Sequence, residues 1–499
     1  MFASIPEKQR VVSGISSPVC ILKKAQESCS QVECYPYQNR DHYLMQQAKQ
    51  LMEIETVVDR FTPVTPESPF YVDFKNLRGD FQEREVLSML NVQANANGQY
   101  EFQYDPNRTS KTLLFLAGMR GSGKTSELAK YALLLNSPKC FFVVTCNVDE
   151  ELDMDNVQYM DILIFQLEKL LIRASEVNLK LDSTILESMS KWFQDRVKEI
   201  NTSLKGEGSA EIELDTDKPL SLTSLFGRML GLTARLKMGL SGTREHAETI
   251  RNSFKNRFVD FSAKFNTFID LTKEQLRKED KAREILFIVD GLEKTMSADT
   301  RRKIIMEESN RIRQIKANTI FTLPIELMKE EQHIRHFSEI IAFPFIKLKE
   351  RDGTTVTEAV ALFEEFVYKR ISPSLFDSPE TVKEAIRYSG GSPRQLLRII
   401  KQANWYTDET KGKITQQSME KALDKLGNNM ARYLEPGDFE LLKRLKTDLA
   451  AGNPIGFNND IQGLLEKEVL FEYNDGTHKS VNPLLERSKL YKHYVSDRP

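Results

Sequence analysis

Short apolar runs punctuate the first two thirds of the chain, each bounded by polar residues: Leu113–Ala117, Cys140–Thr145, Ile285–Val289 and Thr319–Leu323. Runs of this length without alternation read as strands buried on both faces, the habit of parallel sheets. Stretches of helical period separate them. Ser126–Leu135 follows the first run, and Met160, Leu163, Ile164, Leu167, Leu170 and Leu171 after the second share one helix face, set to cover the sheet. Strands alternating with helices predict a doubly wound α/β sheet.

Between that second helix and the Ile285 run lies an insertion over about 176–280, far longer than a crossover requires. In it Phe254, Phe258, Phe261, Phe265 and Phe268 repeat at spacings of four, three, four and three, an a/d seam on a long helix. An internal helical hairpin is the expectation, with an intermolecular coiled coil as the alternative. From Val356 to about Leu434 the pattern is wholly helical. Beyond it, short helices, an Asn474-Asp475-Gly476 turn and flanking apolar strands predict a winged helix. Upstream, a helix is expected from about His42 to Val58. Pro63, Pro66 and Pro69 then break the chain before Phe70–Phe74, read as a short extended lead into the core. The resulting division is an appendage and linker over 1–69, a core over 70–350, a helical lid over 351–434, and a winged helix with its tail over 435–499.

Composition narrows the classes. The chain of 499 residues exceeds one ordinary core, and its 70 basic and 72 acidic side chains nearly cancel, so attraction to nucleic acid or membrane must come from local patches. Five cysteines, three of them (Cys20, Cys29, Cys34) near the start, fit a reduced cytoplasmic chain. No CxxC pair exists and only His42 stands near as a fourth ligand, so a zinc site is not expected. Nor is a membrane span or a secretory leader.

The candidate chemistry begins where the first strand ends. Gly118-Met119-Arg120-Gly121-Ser122-Gly123-Lys124-Thr125 fits G-x-x-x-x-G-K-[ST], with a strand before it and a helix after it. Glycines let backbone N–H groups wrap phosphates at the positive end of the following helix. Gly118, Arg120, Gly121, Ser122, Gly123 and Ser126 are expected around the nucleotide, with Lys124 on the β- and γ-phosphates and the Thr125 hydroxyl on Mg²⁺. The strand Ile285–Val289 delivers Asp290 to the sheet's C-terminal edge, beside the P-loop, to hold the Mg²⁺ shell. Glu293, three residues on, can accept a proton from an attacking water. ATP with Mg²⁺ is the expected ligand pair, and hydrolysis the expected reaction.

These motifs resemble the AAA+ and STAND branches of P-loop ATPases. The Asp290-Gly291-Leu292-Glu293 spacing is similar to the STAND pattern, whereas most AAA+ enzymes place the acidic base directly after the Asp. The resemblance covers about residues 70–487 and implies further roles. Thr322, in Asn318–Pro324, stands where sensor 1 belongs; Arg335 stands where an arginine finger would reach a neighbouring subunit's γ-phosphate in a homo-oligomer. Ser389-Gly390-Gly391-Ser392-Pro393-Arg394 matches the sensor 2 signature of STAND and origin-recognition-type ATPases, with Arg394 aimed at the γ-phosphate from a rigid first turn. Leu77-Arg78-Gly79-Asp80 lies where relatives pack a motif over adenine, so the base is expected near Phe74 to Arg78.

Function then divides in two. One reading is a bacterial signalling or anti-phage defence switch that exchanges ATP for ADP and acts with a separate effector protein. The other is a DNA-assembled AAA+ regulator such as an initiator or transposition ATPase. Charge favours the first: from Asp438 to Arg487 six cations face nine anions, a net of minus three, the wrong sign for phosphate. The expected recognition helix, Asp460–Glu468, carries three acids and one lysine. The remaining nucleic-acid candidate is the basic stretch around Arg228, Arg235, Lys237 and Arg244, for which simple packing is the expectation.

Overall fold

The computed structural model describes residues 46–59, 63–74, 77–79, 81–104, 111–203, 222–295, 298–304, 308–330, 339–453, 455–456, 458–474 and 478–495. All belong to one compact unit, Asn39–Pro499. Cys20, Cys29, Cys34, His42 and Arg335 lie outside the described residues.

Ahead of the main sheet, helix α1 (Glu83–Met89) leads into a hairpin of β1 (Val92–Ala94) and β2 (Tyr100–Phe102). The Asn95 side chain closes its turn by accepting from the N–H groups of Asn97 and Gln99. The main sheet consists of β3 (Leu113–Gly118), β4 (Phe141–Asn147), β5 (Glu284–Asp290), β6 (Asn318–Pro324) and β7 (Glu339–Ala342), all parallel, in the order β4-β5-β6-β3-β7. Every residue of β3, β5 and β6 is buried, which is why these strands read as unbroken apolar runs. One expectation changes: β6 stands between β3 and β5, so Asp290 is one strand removed from the P-loop strand.

Helix α2 (Lys124–Leu135) follows β3 and packs on β4 and β5. After β4, α3 (Tyr159–Glu176) buries Leu163, Leu167, Leu170 and Leu171 in the same core as Leu113, Phe115 and Ala117 of β3.

The insertion consists of α4 (Ser183–Ser203), α5 (Leu222–Leu240), α6 (Arg244–Asn256) and α7 (Phe258–Lys278). The phenylalanine seam is not on one helix. Arg257, at φ −118° and ψ 27°, breaks it, leaving Phe254 on α6 and the other four on α7. The rings turn inward: Phe254 and Phe261 lie edge-on at 5.8 Å, both near Trp192, and Phe265 meets Phe287 of the sheet at 6.2 Å. An apolar seam consumed this way leaves nothing for an intermolecular coil. Arg251 of α6, 1% exposed, ties the insertion to α3 by donating from Nε and Nη2 to the Asp161 carboxylate. In the basic stretch Leu225, Met229, Leu232 and Leu236 enter the core and Lys237 pairs with Glu151 and Glu168, while Arg235 and Arg244 are exposed.

A second core is built by α8 (Thr357–Tyr368), α9 (Pro379–Ser389), α10 (Pro393–Trp405) and α11 (Gln416–Ala431), joined by Ile54, Phe70, Val72 and Phe74 from upstream. The helix expected over His42–Val58 shrinks, within the described residues, to a 3-10 turn Leu51–Glu53 and a single turn Ile54–Val57. Ala48 is captured before it can be helical, its N–H donating to the Arg370 carbonyl and its carbonyl accepting from Ser372. The stretch Tyr71–Phe74 joins no strand. Lid side chains take its carbonyls instead: Arg370 donates to Phe70 and Lys369 to Tyr71.

The chain ends in a winged helix of α12 (Pro436–Ala450), α13 (Asn459–Glu466), the hairpin β8 (Leu470–Tyr473) with β9 (His478–Val481), and α14 (Lys489–Tyr494). Ile461, Leu464 and Leu465 of α13 and every residue of β8 are buried, in the same core as the main sheet.

Candidate functional site

The loop after β3 is shaped by two left-handed glycines, Gly121 at φ +80° and Gly123 at φ +99°, a conformation that side chains resist. Both are also closely approached. A Cβ on Gly121 would lie 2.8 Å from Cβ of Arg394, and one on Gly123 3.1 Å from Nη2 of Arg78. Arg394 from α10 and Arg78 from the segment ahead of α1 thus each stand against the loop.

Lys124 opens α2 and is buried, with Nζ donating to the carbonyls of Gly118 at 2.8 Å and Met119 at 3.1 Å and standing 3.7 Å from Glu293 Oε1. Burial lowers its pKa. Ser122 Oγ is buried without a hydrogen-bond partner. Arg120 leans away, its Nη2 donating to the Glu293 carbonyl at 3.1 Å.

Asp290 closes β5, 2% exposed, with Gly291 N–H donating to its Oδ1 at 2.9 Å. Burial, reinforced by Glu293, pushes its pKa up to about 6, although the Thr125 hydroxyl bonds to it. Glu293 sits on the 3-10 turn Leu292–Lys294. Its burial raises the pKa, but Lys124 and a 2.7 Å bond from Thr322 Oγ1 outweigh that, and the carboxyl is held below its ordinary value. Thr322, fully buried on β6, also accepts from Gly291 N–H at 3.0 Å, so β6 supplies the group that joins both acids.

A cavity adjoins these residues. Its lining includes the polar set Gly121, Gly123, Lys124, Thr125, Ser126, Glu293 and Arg394 and the apolar set Phe70, Val72, Phe74, Phe366 and Leu397, together with Arg78 and Arg370. Arg78 is buried, donates from Nη1 to the Pro344 carbonyl at 3.0 Å and stacks 4.0 Å over the Phe343 ring; burial lowers its pKa to about 10. The structure therefore gathers Gly121, Ser122, Gly123, Lys124, Thr125, Ser126, Asp290, Glu293, Thr322, Arg394 and Arg78 at one sheet edge. Phe70, Arg370, Lys294 and Asp149 belong to the same neighbourhood and carry no motif. Only the adjacency of Lys294 to Glu293 gave a signal in sequence.

Sheet, loop and acid together have the arrangement of a P-loop NTPase core, to which are added a long helical insertion, a layer of four helices and a C-terminal group of helices with a hairpin. No protein-family model matches the chain, and no curated protein matches it. Among solved structures, the crystal structure of Cdc6p from Pyrobaculum aerophilum aligns over 88% of this chain and 97% of its own at 11% identity, with a TM-score of 0.32, too low to bear on fold or function.

Proposed function

We propose that this chain is a Mg²⁺-dependent, ATP-binding and ATP-hydrolysing switch of the AAA+/STAND type, serving signalling or defence through a separate effector. The polar set of the cavity lining takes the phosphates, on the loop amides, Ser122 and Lys124. The apolar set, from the Phe70–Phe74 linker and the lid, takes the base. Thr125 and Asp290 fit Mg²⁺, being hard oxygen donors at one point, with a carboxylate whose pKa is raised by burial and by the neighbouring Glu293, a cost that a bound cation would offset. Bound there, the ion neutralises phosphate charge. Glu293, kept ionised by Lys124 and Thr322, receives a proton from the water that attacks the γ-phosphorus.

The observation that carries the switch is a shared joint. Gly390 and Gly391, at φ +58° and +81°, end α9, and Ser392 caps α10 so that Arg394 lies against the P-loop. The winged helix grips the same joint. Tyr473 donates from its hydroxyl to the Gly390 carbonyl at 2.8 Å, a Cβ on Gly390 would meet the Phe471 ring at 2.6 Å, and Gln395 exchanges amide hydrogen bonds with Asn482 at 3.0 and 3.1 Å. A γ-phosphate that draws Arg394 in or lets it go moves the element on which β8 rests. The outward face of α13 carries Asp460 and Glu466, with Glu468 just beyond it, charges that repel phosphate and disfavour the DNA-assembled alternative.

Hydrogen exchange across residues 370–430, with ATP and with ADP, tests this. Wild type is expected to protect the lid more with ATP; Arg394→Ala is expected to keep binding and lose most of that difference, because a ligand shifts an equilibrium only through contacts that differ between states. A full ATP/ADP difference in the variant would refute the assignment.

A further inference from the structure

A second lysine at the end of β5 has no role in the account above. Lys294 follows Glu293 on the same 3-10 turn and lines the cavity beside Lys124, Thr125 and Glu293. Its side chain is 38% exposed and pairs with Asp149, 22% exposed, in the turn after β4. Asp149 reaches this position because Gly291 lacks a side chain: a Cβ there would stand 2.3 Å from Asp149 Oδ1. The left-handed Gly291, φ +99°, thus turns the chain from Asp290 towards Glu293 and admits the carboxylate that holds Lys294.

Two contrasts with Lys124 matter. Lys124 is buried and tied to two carbonyls, so it meets phosphate in the ground state and in the transition state alike. Lys294 is held by one partly exposed ion pair, an arrangement that is weak and exchangeable. It also stays charged: burial lowers its pKa, but Asp149 and, behind it, Asp290 and Glu293 more than offset that. A cation accelerates a reaction when it gains interaction as charge develops, and phosphoryl transfer spreads charge over the γ-oxygens and the bridging oxygen.

We propose that Lys294 is a second catalytic cation acting in cis, which exchanges Asp149 for the γ-phosphate oxygens as transfer proceeds; this rests on the ATPase reading given above. In the step, the water oxygen bonds to the γ-phosphorus while the bond to the β–γ bridging oxygen breaks. The electron pair of that bond leaves with ADP, and the water proton passes to Glu293. Lys294 gives up no proton. Asp149 is its holder in the resting site and competes with phosphate for it.

The test uses the full chain as wild type, Lys294→Ala, Lys294→Arg and Asp149→Asn, with melting temperatures confirming that each is folded. ATP binding, steady-state hydrolysis and affinity for ADP with aluminium fluoride are measured. Lys294→Ala is expected to lower kcat roughly 10- to 100-fold with KM within about threefold, and to weaken the ADP–aluminium fluoride complex by a like factor. Lys294→Arg should restore most of kcat, and Asp149→Asn should raise kcat/KM. Unchanged kcat in Lys294→Ala overturns the proposal, and so does a parallel loss in Lys294→Ala and Asp149→Asn, which would make the pair a structural clasp. A wild type that neither binds nor hydrolyses ATP would instead sink the ATPase reading, and this proposal with it.

Discussion

Thr322→Val isolates the device that keeps Glu293 ionised. The substitution preserves shape and deletes one hydroxyl, fully buried, whose 2.7 Å bond ends on Glu293 Oε2. Little else is lost: Gly291 N–H gives up Thr322 as an acceptor but keeps Asp290 Oδ1 at 2.9 Å, and Lys124 remains 3.7 Å from Glu293. A hydrogen bond to a charged acceptor contributes about 1.5–3 kcal/mol, which at about 1.4 kcal/mol per pKa unit is roughly one to two pH units. The bond favours the carboxylate, so its removal raises the Glu293 pKa. In the proposed reaction the base works ionised, so the acidic limb of kcat/KM against pH should move upward by that amount. The neighbouring acid should respond in the opposite sense: Glu293 charge helps raise Asp290, so a more neutral Glu293 lets the Asp290 pKa fall. The assay is a pH–rate profile of wild type, Thr322→Val and Thr322→Ser, the serine retaining the hydroxyl. An acidic limb that stays in place in the valine variant refutes the role given to Thr322.

Lys124→Ala should abolish ATP affinity measured by equilibrium dialysis, since it removes the cation fixed at the head of the loop; binding within about threefold of wild type, roughly 0.7 kcal/mol, would refute the phosphate seat. Asp290→Asn should stabilise the Mg²⁺-free protein. Its pKa rises from 3.8 to about 6 on folding, so its contribution is favourable below about pH 4 and is lost as pH climbs through 6. The gain in melting temperature should be larger at pH 8 than at pH 5. Equal gains at both pH values would count against a raised Asp290.

Four of the five sheet strands were legible in sequence because burial on both faces makes them mainly apolar; the run at Ile285 and the strand Glu284–Asp290 differ by one residue at each end, whereas the edge strand β7, with one fully buried residue in four, was missed. The P-loop was legible because its two left-handed positions demand glycine. What escaped was settled by distant partners. The residues near Ala48 have a helical pattern, but Arg370 and Ser372 take the backbone groups that a longer helix would use. The Phe254 and Phe258 spacing continues a helical period across Arg257, where the chain turns, because both sides of the turn bury their rings in the same core.

The winged helix illustrates the same limit and what lies behind it. Its wing has a surplus of acids in sequence, which argued only against phosphate. In the structure two of its charges, Glu472 and Lys479, face each other across the hairpin at 3.3 Å, 3% and 4% exposed, so part of the charge that looked like surface is interior. At the tip, the left-handed Asn474 sits where a Cβ on Gly79 would lie 2.2 Å from its Oδ1. Gly79 follows Arg78, the residue against Gly123 of the P-loop. The wing therefore touches two neighbours of the P-loop, Arg78-Gly79 and the Gly390-Gly391 joint. Each contact depends on a glycine whose missing side chain makes room for the wing, and a glycine announces in sequence that something comes close without saying what. Two such contacts beside the P-loop are what the proposed switch requires of the wing.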